Sequence, residues 1–399
     1  MTDLKSEIRN PKSEILQLTP HSLYSAFDVF PSRKGAAIHI NQFSRALFEK
    51  TEGGLLYVLG GEKLPFYQCE NDVEIVRFYA PVANYLERAI AFSNRLNILI
   101  DECESSLKIC HFRDIWSGIP ILERKHKYKT IFEVNAFPSI ELPFTYNIAP
   151  ETLLKIREQE KFCLKECDHI ITPAHSIKDK VLSFDISQEK ITVIPNGAII
   201  PKPTQKPVDA PQRYIIYFGA LQAWQGVDVL LRAFARLADF RDLRLVICAS
   251  HYSRRAKMLE KFAEKLNVNE RVLWYYNLNE EQLAPWREHA LLSVAPLTEC
   301  SRNIEQGCAP LKILESMASG VAVVASDFPS VREIMTDNEH GRLIHPDRPG
   351  ELARVIRVLL QYTEKLKEMG KRAKQKIEDE FLWKSSTDKL TVLYEKILR

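Results

Sequence analysis

Two hydrophobic periods alternate along this chain. Short runs rich in β-branched and aromatic residues suit strands, and the stretches between them, apolar every three to four positions, suit amphipathic helices. Residues 55–59, 73–78, 107–111, 130–134 and 169–172 read as strands, with helices among them at 39–50 and 151–165. A further strand, 191–194, stops at the turn signal Pro195-Asn196-Gly197. The Pro-rich polar segment Pro201-Lys202-Pro203-Thr204-Gln205-Lys206-Pro207 reads as a linker. The alternation then restarts, with strands at 214–218, 243–248, 272–275, 291–295, 321–325 and 342–345 and helices between them.

Repeated strand–helix alternation predicts an α/β protein with parallel sheets covered by helices on both faces. Two such series give two doubly wound, Rossmann-like domains, at 19–200 and 211–380, joined by a linker at 201–210. Residues 1–18 read as a flexible tail, in which Lys5-Ser6-Glu7-Ile8 recurs as Lys12-Ser13-Glu14-Ile15. Two copies fall short of the ~3 that a solenoid needs. Residues 381–399 form a last amphipathic helix. Ligands of doubly wound sheets bind at the carboxyl ends of the strands, so two facing domains would enclose a cleft lined by strand-to-helix loops.

Composition narrows the function. A chain of 399 residues exceeds one ordinary core of roughly 100–200 residues. A net charge of +3 is too small for a dedicated nucleic-acid binder. The eight cysteines form no CxxC pair, which leaves a zinc site without support. With no secretory signal, reduced thiols in the cytoplasm are expected. No apolar run approaches the ~20 residues of a membrane-spanning helix.

The densest chemistry lies in 303–320. Gly307 marks a tight turn, Pro310 suits the first turn of a helix, and Gly320 suits its end. A helix start carries unpaired N–H groups and about half a positive charge, which favours a phosphate. Lys312 and Glu315 are three apart and share a helix face. The carboxylate can accept two ribose hydroxyls, and the ammonium can neutralise a diphosphate. From spacing alone, an ordinary surface ion pair is the simpler reading.

Pro310, Lys312, Glu315, Met317-Ala318-Ser319-Gly320 and the following Val321-Ala322-Val323-Val324-Ala325-Ser326-Asp327 resemble the donor signature of the retaining GT-B glycosyltransferases of family four (group 1), in a form with Gln-Gly-Cys-x-Pro-x-Lys. The resemblance continues through Val331-Arg332-Glu333-Ile334 and Gly341-Arg342-Leu343-Ile344. It is also carried by Tyr217-Phe218-Gly219, Gly226-Val227-Asp228, Ile194-Pro195-Asn196-Gly197 and the loop Lys34-Gly35-Ala36-Ala37-Ile38-His39. It implies a GT-B fold whose last helix crosses back to the first domain. It implies retaining transfer of a hexose from a UDP- or GDP-linked sugar to a hydroxyl of a glycan, lipid-linked or small-molecule acceptor, as in polysaccharide biosynthesis, without cofactor or metal. Donor contacts would come from Gly35, Ala36, Gly219, Gln225, Arg302, Gly307, Cys308, Ala309, Pro310, Leu311, Lys312 and Glu315, with Glu315 on the ribose.

Three departures from the family stand out. The glutamate expected eight residues before Glu315, a sugar contact, is Gly307 here. Ala220 and Gln225 stand where an arginine and a lysine commonly meet the diphosphate, and charge-assisted bonds contribute roughly 1.5–3 kcal/mol each. Arg302 and Lys312 are the expected replacements. Asn135 stands where many members carry a histidine beside the reacting carbon; with Glu133 and His111 it completes the candidate catalytic set. His111-Phe112-Arg113-Asp114 follows a strand and is expected to face the cleft, where an imidazole could manage a proton. Two alternatives remain open: a GT-B scaffold that has lost transfer, and a sugar-nucleotide epimerase. The basic run Arg124-Lys125-His126-Lys127-Tyr128-Lys129 adds weak peripheral contact with the inner membrane face as an expectation.

Overall fold

In the computed structural model, residues 16–32 and 35–399 are described. The opening repeat and Lys34 lie outside them. Among the described residues, fourteen strands form two sheets. The first contains β1 (Ser22–Val29), β2 (Gly54–Leu59), β3 (Tyr67–Glu70), β4 (Val73–Phe78), β5 (Ile109–Phe112), β6 (Lys129–Glu133), β7 (His169–Thr172) and β8 (Ile191–Val193), in the order β3-β4-β2-β1-β5-β6-β7-β8. The second contains β9 (Arg213–Gly219), β10 (Leu243–Ala249), β11 (Val272–Tyr276), β12 (Leu292–Ala295), β13 (Val323–Ser326) and β14 (Gly341–Ile344), in the order β11-β10-β9-β12-β13-β14. Every pairing is parallel except the edge hairpin of β3 with β4. These are the two doubly wound domains that the alternation predicts.

The central strands are apolar on both faces because helices cover both. In β9, Ile215 and Tyr217 pack into one core, and Tyr214, Ile216 and Phe218 into another. Strand order reverses around β9, between β10 and β12, which places a crevice at Gly219. The sequence reading misses β1, the centre of the first sheet, and the short edge strand β3. It also places Pro310 inside a helix that begins at Leu311; Pro310 is the extended residue before it.

The helix Thr363–Glu380 stays on the second domain through Met369, Ala373 and Ile377. The next, Trp383–Leu398, crosses back. Its Trp383, Leu390, Leu393 and Tyr394 share a core with Tyr24, Ile40, Phe43 and Leu47. Gly197 permits the crossing, because a Cβ there would lie 2.5 Å from the backbone of Trp383.

Candidate active site in the interdomain cleft

The carboxyl ends of β9, β10 and β12 and the start of the helix Leu311–Ala318 border a cavity of about 410 Å³. Gly35 and Ile38 close it from the first domain; Ala36, between them, does not line it. The approach is close here: a Cβ on Gly35 would sit 2.5 Å from Leu311 Cδ1, the tip of that side chain. Two helix starts, at Gly35 and at Leu311, therefore face each other.

Lys312 lines the cavity. Its Nζ donates to Tyr217 Oη at 3.0 Å and to Gln225 Oε1, and lies 4.2 Å from the Tyr217 ring centroid. These partners are neutral, and the residue makes no close ion pair among the described residues. Desolvation lowers its ammonium to about 7. The residue replacing the family's lysine, Gln225, thus supplies an acceptor that holds Lys312.

Glu315 lies one turn on, and burial raises its carboxyl. No described group donates a hydrogen bond to it. It lines both the first cavity and a second of about 760 Å³ toward Asn41, Gln42 and Trp383. Beneath it, Arg287 is 2% exposed and donates to Glu280 at 2.5 Å and to Ser319 at 2.7 Å. Sequence reasoning missed Arg287 and Glu280, which sit on a separate helix, Glu280–Glu288. Ser250 and His251, at the end of β10, and Leu283 complete the cavity wall.

Gly219, Cys308, Ala309, Pro310 and Leu311 also line this cavity, as does Gln225. Gly307 does not. It has φ +81°, and a Cβ there would lie 2.7 Å from Ser176 Oγ. Gly307 thus lies outside this cavity's lining, and the helix His175–Leu182 of the first domain occupies the space a larger side chain would need.

Arg302 lines the cavity, but its guanidinium is engaged. Nε donates to Glu141 Oε1 across the cleft at 2.6 Å, and the group lies 5.0 Å from the Trp224 ring centroid. Other bonds join the domains. Phe137 N donates to Gln306 Oε1 at 2.9 Å, Asn196 Nδ2 to Ala309 O at 3.2 Å, and His175 N and Ser176 N to Glu333 at 2.8 and 3.1 Å.

His111, Glu133 and Asn135 do come together, but under the cleft. Period-two alternation puts Tyr24, His111 and Glu133 on the sheet face covered by the helices Gly35–Thr51 and Trp383–Leu398. Glu133 is 1% exposed. Its Oε1 accepts from Arg113 Nε at 2.8 Å and from Asn135 Nδ2, with His39 Nδ1 at 3.1 Å. Its Oε2 accepts from Tyr24 at 2.8 Å, with His111 Nε2 at 3.3 Å. Burial alone would raise this carboxyl, but His39 and Arg113 hold it well below the usual range. Arg113 also pairs with Asp28 at 2.9 Å.

His111 is fully buried, with Nδ1 2.7 Å from Tyr394 Oη of the crossing helix. The expectation that it faces the cleft is corrected, because sheet alternation turns its ring into the helix-covered layer. Glu133 is likewise no open catalytic carboxylate. Of the three, Asn135 alone is half-buried.

The basic run lies where β6 begins, at the end of the sheet opposite the cleft. Arg124 pairs with Asp101 at 2.8 Å, and Lys125 pairs with Glu166. Among the described residues, no helix is long and apolar enough to cross a membrane.

Comparison with known proteins agrees with this geometry. Residues 200–376 match the family described as glycosyl transferases group 1, and residues 33–199 match glycosyltransferase family 4. An uncharacterized glycosyltransferase of Methanocaldococcus jannaschii is 21% identical over 390 residues, covering 92% of this chain and 96% of its own. The MMP alpha-(1->4)-mannosyltransferase of Mycolicibacterium hassiacum is 28% identical over 243 residues, 60% of this chain and 57% of its own. Among solved structures, sucrose-phosphate synthase from Thermosynechococcus elongatus superimposes with a TM-score of 0.78 at 16% identity, over 94% of this chain and 98% of its own. Anabaena HepE in complex with UDP-glucose does so with 0.73 at 14%, over 94% and 99%. At those identities the likeness shows the fold alone. The family matches, which together span most of the chain, make it a member of the group 1 glycosyl transferases, an enzyme with the GT-B fold.

Proposed function

We propose that this enzyme transfers a hexose from a nucleoside-diphosphate sugar to an acceptor hydroxyl, with retention at the anomeric carbon. The observation that carries this reading is the pair Lys312 and Glu315 in one interdomain cavity. One is an ammonium weakened by desolvation and held by neutral groups; the other is a carboxylate with no donor. A diphosphate would restore the charge on Lys312, and ribose hydroxyls would satisfy Glu315. The N–H groups at the start of the Leu311–Ala318 helix add to the stabilisation of the departing phosphate. Ser250, His251 and Leu283 bound the end of the cavity that receives the base. Arg302 reaches the diphosphate by exchanging Glu141 for it.

Glu133 is saturated by its partners and offers no nucleophile. The proposed step therefore breaks the bond from the anomeric carbon to the phosphate oxygen, joins the acceptor oxygen on the same face, and passes the acceptor proton to the leaving diphosphate. The cleft supplies position and charge. HepE, one of the solved likenesses, is titled as a complex with UDP-glucose, which supports UDP-sugars as the first donors to try. No cofactor or metal enters the proposed step.

A scaffold without transfer is the second reading, favoured by the closure of Gly307 against Ser176. The two separate in one experiment. UDP-glucose and GDP-mannose are screened by thermal shift, and products are followed with a panel of glycan and lipid-linked acceptors. Binding weakened by Lys312→Ala together with α-linked product supports transfer. Binding with the sugar nucleotide returned unchanged supports the scaffold, and an isomerised sugar nucleotide without acceptor supports an epimerase. Binding untouched by Lys312→Ala contradicts the site itself.

A further inference from the structure

Assembling a carboxylate, a guanidinium and two imidazoles out of water is costly, and the arrangement at Glu133 is unnecessary for packing alone. Its bonding pattern has a directional consequence. A carboxylate accepts hydrogen bonds and donates none. The Asn135 amide beside it must therefore turn Nδ2 inward, toward Glu133 Oε1, and Oδ1 outward. No described group donates to that outward oxygen. Asn135 stands just past the end of β6, and two residues further on Phe137 N bonds Gln306 of the donor-side loop.

We infer that Glu133 is a positioning residue that selects the amide orientation of Asn135, so that its carbonyl oxygen accepts from a hydroxyl of the bound sugar or acceptor. The crossing helix completes the arrangement. Tyr394 Oη holds His111 Nδ1 at 2.7 Å. Tyr24 donates to Glu133 Oε2 at 2.8 Å, and His111 Nε2 lies 3.3 Å from the same oxygen. With Oε2 engaged, Oε1 accepts from Arg113 and Asn135, with His39 Nδ1 3.1 Å away. The last helix of the chain thus bears on a residue just past the carboxyl end of β6 without touching substrate. The ligand's identity rests on the proposed donor reading; the amide orientation does not.

Glu133→Gln keeps the shape and removes the constraint. A glutamine can present its own NH₂ to Asn135, which then turns and offers a donor where an acceptor stood. The full-length protein is assayed for UDP release from UDP-glucose in water, for UDP affinity, and for the NMR signals of the Asn135 side-chain amide. Glu133→Gln is expected to slow release roughly ten-fold, the size of one lost hydrogen bond, with UDP affinity unchanged. Tyr394→Phe gives a smaller loss in the same quantity and carries the test should Glu133→Gln fail to fold. In an Asn135→Ala background both substitutions lose their effect on turnover. The amide signals of Asn135 move in Glu133→Gln. Unmoved amide signals, or losses that add to that of Asn135→Ala, overturn the inference. Wild-type protein that fails to bind UDP defeats the donor reading alone, and the amide signals still decide the positioning role.

Discussion

Two polar clusters flank the cleft, and they differ in how their charges are satisfied. Around Glu133, both carboxylate oxygens accept hydrogen bonds from within the protein, from Tyr24, Arg113 and Asn135. Around Lys312 and Glu315, an ammonium rests on neutral oxygens and a carboxylate receives nothing. The two lie in different surroundings: Glu133 is sealed beneath two helices, and the Lys312 pair borders a cavity. Buried polar groups satisfied by the chain hold structure, whereas groups unsatisfied beside a cavity are poised for a ligand.

The largest expected effect breaks the satisfied cluster. Glu133→Ala leaves Arg113 and two imidazoles without their carboxylate, and breaking a buried pair typically costs about 3–5 kcal/mol. Denaturant unfolding should show that loss. A change near zero would mean the cluster is hydrated and open.

Lys312→Met is the counterpart at the other cluster. Donor affinity should fall roughly 10–100-fold, the value of one charge-assisted contact. Stability should move the opposite way. The folded-state value of Lys312, about 7, lies below that of an unfolded lysine, so the folded state binds fewer protons. Its penalty is fully present below pH 7 and fades as pH rises toward the unfolded value. Lys312→Met should therefore raise Tm, most of all below pH 7. A lower Tm at pH 6 together with unchanged UDP affinity would erase the contrast between the clusters.

Smaller effects sharpen it further. Glu141→Gln frees Arg302 from its cross-cleft partner. It should strengthen UDP binding a few-fold or less in a calorimetric titration, and weaker binding would show that the bridge shapes the site. Smallest of all, anionic liposomes at low salt should retain only a trace of the protein, because Arg124 and Lys125 already have acidic partners.

The sequence was legible where information is local. Strand–helix alternation yields both sheets, and the spacing of Lys312 and Glu315 yields their common face. Strand β1 was missed because its apolar pattern is broken by Ser22 and Ser25, which are nonetheless buried. Ser22 Oγ meets Thr51 Oγ1 at 2.6 Å, and Ser25 Oγ donates to Ser117 at 2.9 Å. Those distant partners make polar residues tolerable in a central strand. The same limit hid the setting of the catalytic candidates. Nothing near His111 announces Tyr394, and nothing near Gly307 announces Ser176. The sequence therefore exposes a missing glutamate at 307 but not the helix that fills its place.

Lys312 is proposed as the cation that meets a diphosphate, and proton uptake on ligand binding reports on that contact. UDP is titrated calorimetrically at pH 8 in buffers of different ionisation enthalpy, with wild type and Lys312→Met. At that pH an amine with a value of about 7 is mostly neutral, and a bound diphosphate would recharge it. The wild type is expected to take up a proton on binding, and Lys312→Met none. Binding with no buffer dependence, or with the same uptake in both proteins, would contradict it.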